Sequence, residues 1–222
     1  MQQTVRKRPA TTRKPPHPRG AAPVRRTQQE RREEAERRLL EAALAIVARI
    51  GSTRLTLAAV GEAAGYSRGL PAHRFGNKAG LLRALAAHIH VRFQDHLRAA
   101  PARADGLDAI RGNISVYFGR TDRAWTTTRA LLVMMTEGFM AGSGLKRDMA
   151  AYNRGALAFF EHHIRAGQAT GEIRADADPA TDAVLLLGAL RGVMLQWFLD
   201  ADISLERLRD RLITIVDRSL AA

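Results

Sequence analysis

The sequence predicts an all-α protein, and three observations carry that prediction. Ala and Leu abound while aromatic residues make up only 5% of the chain and β-branched runs are scarce, a composition that suits helices. Apolar residues recur three and four positions apart through several long stretches. Between these stretches stand Gly, Pro, Ser, Thr and Asn, placed where helices start and stop. With 46% hydrophobic residues, 222 positions suffice for one large domain or two small ones.

Residues 1–27 hold five of the eight prolines and little that can be buried, so a disordered basic arm is expected there. The first strong helix spans Gln28 to Ile50, with Leu39, Leu40, Ala43, Leu44, Val47 and Ile50 on one face, and Gly51 and Ser52 stop it. Thr56 caps a short helix over 57–64 whose inner side is Leu57, Val60 and Ala64. Ser67 is placed to cap a third helix beginning at Arg68, which makes Pro71 its fourth residue. Asn77 caps a long helix over 78–98 with the stripe Leu81, Leu82, Leu85, Ile89, Phe93 and Leu97.

The stretch GYSRGLPAHRFGNK, at 65–78, resembles a phosphate-cradling loop in composition alone. No strand precedes it, and neither GxGxxG nor GxxxxGK[ST] is present. A short helix, a tight Gly-containing turn and a second short helix instead make a helix-turn-helix unit. Small residues at Ala63, Ala64 and Gly65 are expected to let its helices approach, and Phe75 to close its core. Arg68, Gly69, Ala72 and His73 point outward, with Arg74 at the end, short or cationic as a major groove requires.

Charge agrees with a polyanion partner. Residues 1–29 carry eight basic residues and no acid; residues 30–99 carry twelve basic and seven acidic; residues 100–222 carry fifteen of each. The whole excess of +13 sits in the first half, so the second half has a different task.

The span LTLAAVGEAAGYSRGLPAHRFGNKAGLL, with the helix before it, resembles the DNA-binding domain of the TetR family of bacterial transcriptional regulators. The resemblance implies a helix-turn-helix domain over 28–99 and a helical ligand-binding and dimerisation domain over 100–222. It implies that Arg68, Gly69 and Leu70 face bases, that His73, Arg74 and Lys78 meet phosphates or nearby base edges, and that Thr56 anchors a phosphate. Where the family usually has Tyr this chain has Ala72, which removes one backbone contact and leaves Tyr66 or the basic arm to replace it.

Weaker resemblance continues through GEIRADADP and LLLGALRGVMLQWFLD. Asp178 and Pro179 start a helix that is apolar nearly all round, and a last helix follows Ser204. The apolar run 183–199 contains Arg191 and Gln196 and falls short of a membrane span, so a buried helix of a soluble protein is expected. By resemblance these two helices pair with their copies, through Leu187, Gly188, Arg191, Gly192, Leu208, Leu212 and Ile215. Trp125, Met134, Met135, Phe139, Met140, Phe159, Phe160, Met194, Trp197 and Phe198 are either plain core or the wall of an apolar ligand site. Glu137 and Arg191 are the polar handles such a ligand would find. GFMAGSGLK reads as a connector.

Catalysis finds no support. There is no Cys, and no HExxH, Ser–His–Asp or carboxylate-pair spacing among His17, His88, His90, His96, His162 and His163. No metal, cofactor or targeting segment is expected. The expected partners are double-stranded DNA with a palindromic operator, a second copy of the chain and an apolar small-molecule effector, in the bacterial cytoplasm at the nucleoid. Two other readings stay open on residues alone, a non-specific basic DNA-binding protein and a helical enzyme with an apolar substrate pocket.

Overall fold

A computed structural model describes residues 27–99, 105–119, 125–140, 142 and 144–222, without the side chains of 94 and 96–99. Among the described residues the chain is helical, with no strand and one isolated bridge between Ile173 and Ala221. The helices are α1 (Gln28–Ile50), α2 (Leu57–Ala63), α3 (Leu70–Phe75), α4 (Lys78–Ala99), α5 (Leu107–Phe118), α6 (Thr126–Glu137), α7 (Lys146–Thr170), α8 (Pro179–Leu199) and α9 (Leu205–Leu220). The basic arm expected over 1–27 lies outside the described residues except for Thr27. That residue belongs to α1: its hydroxyl accepts the Glu30 N–H at 3.1 Å while its own N–H donates to the Glu30 carboxylate, a closed capping box.

Two apolar cores organise the helices. In the first, Leu39, Ala43, Leu44 and Val47 of α1 meet Val60 of α2 and Leu81, Leu82, Leu85 and Ile89 of α4. Phe75 and Leu70 of α3 pack against it half-buried. This core is not closed by the first four helices. Leu131 and Met134 of α6 complete it, joined by Leu145 and Met149 at the start of α7. In the second core, Ile110 and Ile114 of α5, Phe160 and Ile164 of α7, Leu187, Leu190 and Met194 of α8, and Leu212, Val216 and Leu220 of α9 come together.

The polar strut between α6 and the first helices is equally direct. Gly51 turns the chain out of α1 at φ 83°, a conformation that favours glycine. A Cβ there would lie 2.6 Å from the Glu137 Oε1. The next N–H, that of Ser52, donates to both Glu137 carboxylate oxygens at 3.0 Å, and the Ser52 hydroxyl also donates to that carboxylate.

Expected as a buried helix, α8 is buried on one side only. Asp178 caps it and Pro179 opens it, as its sequence indicates. Ala183, Leu186, Leu187, Leu190 and Met194 face the core, whereas Val184, Leu185, Leu195 and Leu199 are exposed, Leu199 to 85%. Among the described helices it alone is long and apolar enough to cross a membrane. The physical reason for the difference is that its residues are apolar on every side while α7 and α9 cover only part of the circumference.

Candidate nucleic-acid interface and inner cavity

The helix-turn-helix forms from α2 and α3. Thr56 caps α2 by accepting the Ala59 N–H at 3.1 Å. The close approach of the two helices rests on Gly61, not on Ala63 and Gly65, which are exposed, or on Ala64, which is half-buried. A Cβ on Gly61 would stand 2.5 Å from the Ser67 carbonyl oxygen, and the Tyr66 N–H closes the turn on the Gly61 carbonyl at 2.8 Å. The signal was a lone glycine inside an otherwise helical LAAVGEA.

The third helix starts later than its sequence indicates. It begins at Leu70, with Gly69 at the cap position and no side-chain cap, so Ser67 does not cap it. Ser67 begins a tight turn instead, its carbonyl accepting the Leu70 N–H at 3.1 Å. Pro71 then falls in the first turn, where its missing N–H would have had no helical partner. No intrahelical bond is lost.

Arg68 therefore stands on the turn before α3. It is exposed, as are Gly69, Ala72 and His73. Its guanidinium donates to the Glu62 carboxylate of α2. Arg74 reaches back to α1, donating to the Arg32 carbonyl at 2.6 Å and pairing with Glu36 at 3.2 Å. Lys78 Nζ donates to the Thr53 carbonyl at 2.7 Å. Tyr66 and Leu70 are half-buried against the first core, and Thr56 is exposed. The sequence reading missed the start of α1: Gln28, Arg31 and Arg32 share a surface hollow of about 440 Å³ with His73 and Arg74. Arg and Glu alternate there, and spacing alone does not say which of them face α3.

The ligand candidates separate into five groups. Met134 and Met194 are fully buried, each packed in a core, and neither is open to a ligand. Glu137 is held by Ser52 and is not a free handle. Trp125, at φ 49° ahead of α6, meets Trp197 edge to face at 5.6 Å, and the Arg129 guanidinium lies 4.8 Å over Phe198. Phe159 and Phe160 line a small, partly open cavity of about 40 Å³ with His90, Phe93, Asn113 and Arg191. Met135 and Phe139 line an open hollow of about 370 Å³ between α6 and α7, with Lys146, Met149 and again Arg191.

Of the residues assigned by resemblance to a dimer contact, Leu187 and Leu212 face the second core. Arg191 turns toward α7, where its Nη1 donates to Asn153 Oδ1, so it belongs to the cavity and not to the outer face. Gly188 and Ile215 are exposed, Gly192 and Leu208 half-buried, and open space stands beside both glycines. Outside that set, Val184, Leu185, Leu195 and Leu199 are large apolar side chains that α8 leaves exposed.

The histidines divide likewise. His88 and Arg92 both pair with Glu41, at 3.1 and 2.7 Å, and His90 stands edge-on to Tyr152. His17 and the side chain of His96 lie outside the described residues. His162, His163 and Asp105 bring one ligand atom each within 4.8 Å of one another, with His162 and Asp105 exposed. Burial holds His163 below the usual imidazole value, His162 adds repulsion, and Asp105 opposes both.

The profile of bacterial regulatory proteins of the tetR family matches residues 39–85, the span from α1 into α4. The chain is 30% identical over 189 residues to the HTH-type transcriptional regulator TtgR of a Pseudomonas putida strain, covering 81% of this chain and 87% of that protein. The chain belongs to the TetR family. It is 39% identical over 87 residues to the HTH-type regulator ArpR of Pseudomonas putida, 39% of this chain and 40% of that protein. A TetR-family regulator from Rhodococcus sp. shares the fold with a TM-score of 0.74 at 24% identity, over 85% of this chain and all of that one. As a TetR-family member, the protein is a DNA-binding transcriptional regulator and not an enzyme. Among proteins that share the fold, a regulator from Saccharomonospora viridis was solved in complex with choline, at 20% identity and a TM-score of 0.73 over 86% of this chain and 99% of that one.

Proposed function

We propose that the protein binds an inverted-repeat operator as a homodimer, represses transcription there, and leaves the DNA when a largely apolar effector binds. One pairing of features carries this reading: an exposed edge made by Arg68 on the turn before α3 with Ala72 and His73 on it, and an uncovered apolar stripe on α8 in the same chain. One recognition helix spans few base pairs, so a two-fold partner supplies the second half-site. On α8, Val184, Gly188, Gly192, Leu195 and Leu199 follow one another at four and three residues, a single stripe. Covering each of its large side chains contributes on the order of 1 kcal/mol.

In this reading the basic residues ahead of α1 release counterions from DNA, 28–99 contact the operator, and 100–222 bind effector and partner. Arg68, Gly69 and Leu70 face bases. His73, Arg74, Lys78, Tyr66 and Thr56 meet the backbone, with Arg31 and Arg32 beside them. Lys78 rests on a backbone carbonyl, and Arg74 on one carbonyl and the Glu36 carboxylate, so a phosphate has to draw Arg74 from an ion pair but Lys78 only from a neutral acceptor. In the cell the protein then resides at the nucleoid.

Selection from a random double-stranded pool at moderate salt tests the proposal. An enriched inverted repeat with half-sites about one helical turn apart is expected. Binding without any enriched repeat would establish the non-specific reading instead.

A further inference from the structure

Arg191 stands where two spaces meet. It lines both the small inner cavity among α4, α5, α7 and α8 and the wider hollow between α6 and α7. Other partly buried arginines have carboxylate partners: Arg92 has Glu41, Arg111 has Asp217 at 2.8 Å, and Arg74 has Glu36. Arg191 has a neutral one, the Asn153 amide oxygen, and among the described residues no Asp or Glu lines either space. Burial holds its guanidinium below the ordinary value, with Tyr117 and Tyr152 opposing. A charge so placed is under-compensated, and an anion brought beside it in a water-poor wall gains more than at the surface.

We infer that the effector site takes an amphipathic organic anion, a monocarboxylic acid with an apolar body, whose carboxylate pairs with Arg191. This rests on the effector reading above and names its ligand class. Volume decides the pose. The inner cavity, at about 40 Å³, holds little more than water, whereas the hollow, at about 370 Å³, admits a medium-length chain. The body lies along Met135, Phe139 and Met149, and covers Phe139, which is 85% exposed. The carboxylate points inward to the guanidinium, which can donate two parallel bonds. The buried Asn113 amide lies beyond it, and Lys146 repels cations from the same hollow.

The pose also gives the signal a route. Met135, Gly138 and Phe139 are the end of α6, and Glu137 in the same turn holds Ser52 between α1 and α2. A ligand that displaces this end moves the acceptor on which the helix-turn-helix rests.

Calorimetry with octanoate, 1-octanol and octylamine on the full-length protein tests the inference. Octanoate is expected to bind roughly tenfold to a hundredfold tighter than octanol, the ratio expected of a charge-assisted pair, and octylamine weakest. Arg191→Gln should abolish that preference, with near-ultraviolet dichroism checking the fold, and Arg191→Lys should retain part of it. Octanol binding as well as octanoate, or an unchanged preference in Arg191→Gln, overturns the inference, as does no binding by octanoate and 4-phenylbutyrate alike. Operator release is scored separately by fluorescence anisotropy. Release by octanol equal to that by octanoate would leave the effector reading standing while removing the carboxylate. Selective octanoate binding without release would support the site and strike the effector reading.

Discussion

Glu137→Ala removes the acceptor that ties α6 to the turn after α1. Ser52 is only 4% exposed, and its N–H donates to the Glu137 oxygens and nowhere else among the described residues. The substitution leaves that donor buried and unsatisfied, which costs about 1–3 kcal/mol. The Ser52 hydroxyl can rotate to another acceptor, so it adds little. Glu137 is itself half-exposed, which moves the expectation to about 2 kcal/mol for Ala. Glu137→Gln keeps an amide oxygen for the N–H and should cost about half as much. Urea denaturation at one fixed protomer concentration reads the difference, because a dimer's midpoint moves with concentration. At a slope of about 2 kcal/mol per molar, Glu137→Ala lowers the midpoint by about 1 M. A shift below about 0.25 M for Ala, or a larger one for Gln than for Ala, would refute the strut.

The other substitutions probe separate parts of the chain. Pro71→Ala should lower stability by about 0.4–1 kcal/mol through the freer unfolded chain. A gain would mean that the helix begins at Arg68, where alanine restores a bond. Glu62→Gln frees Arg68 and removes a negative charge from the DNA face; a change in stability under about 0.5 kcal/mol and roughly two- to fivefold tighter operator binding are expected. Unchanged or weaker binding by anisotropy would contradict the role of Arg68. His163 has a lowered folded value, so its neutral form is favoured: stability is fully present above the ordinary 6.5 and is lost as pH falls below it. His163→Gln should flatten the fall in urea midpoint between pH 7.5 and 5.5, and an unchanged fall would assign it to other groups. Leu185→Glu, on the exposed side of α8, should turn a dimer into a monomer by light scattering. A dimer that persists would place the interface elsewhere.

Local signals were legible where one residue decides one event. Thr56, Asn77, Asp178 and Ser204 cap the helices their positions indicate, and Gly51 ends α1. The stripe Leu81, Leu82, Leu85 and Ile89 is buried as its spacing requires. The start of α3 was not legible, because Ser67 is as good a cap residue as any and only the Ser67–Leu70 turn puts it one turn too early. Glu137 looked like a ligand handle because its partner is 85 residues away. Met134 and Phe139 look alike in a list of apolar residues, yet one is sealed and the other is 85% exposed. Which side of α8 meets the core was hidden because its apolar residues leave no polar face to orient it.

The floor that α6 lends to the first core bears on how such regulators can be recombined. A chimera cut between α4 and α5, with a foreign C-terminal part, would lose Leu131 and Met134 from beneath α1, together with the acceptor for Ser52. Grafting onto another operator specificity therefore has to carry the matching face of α6, or confine the exchange to the turn and short helix from Ser67 to Phe75, which lean chiefly on α2 and α4. Recognition is portable in this chain at the scale of about two helical turns, and not at the scale of the whole head.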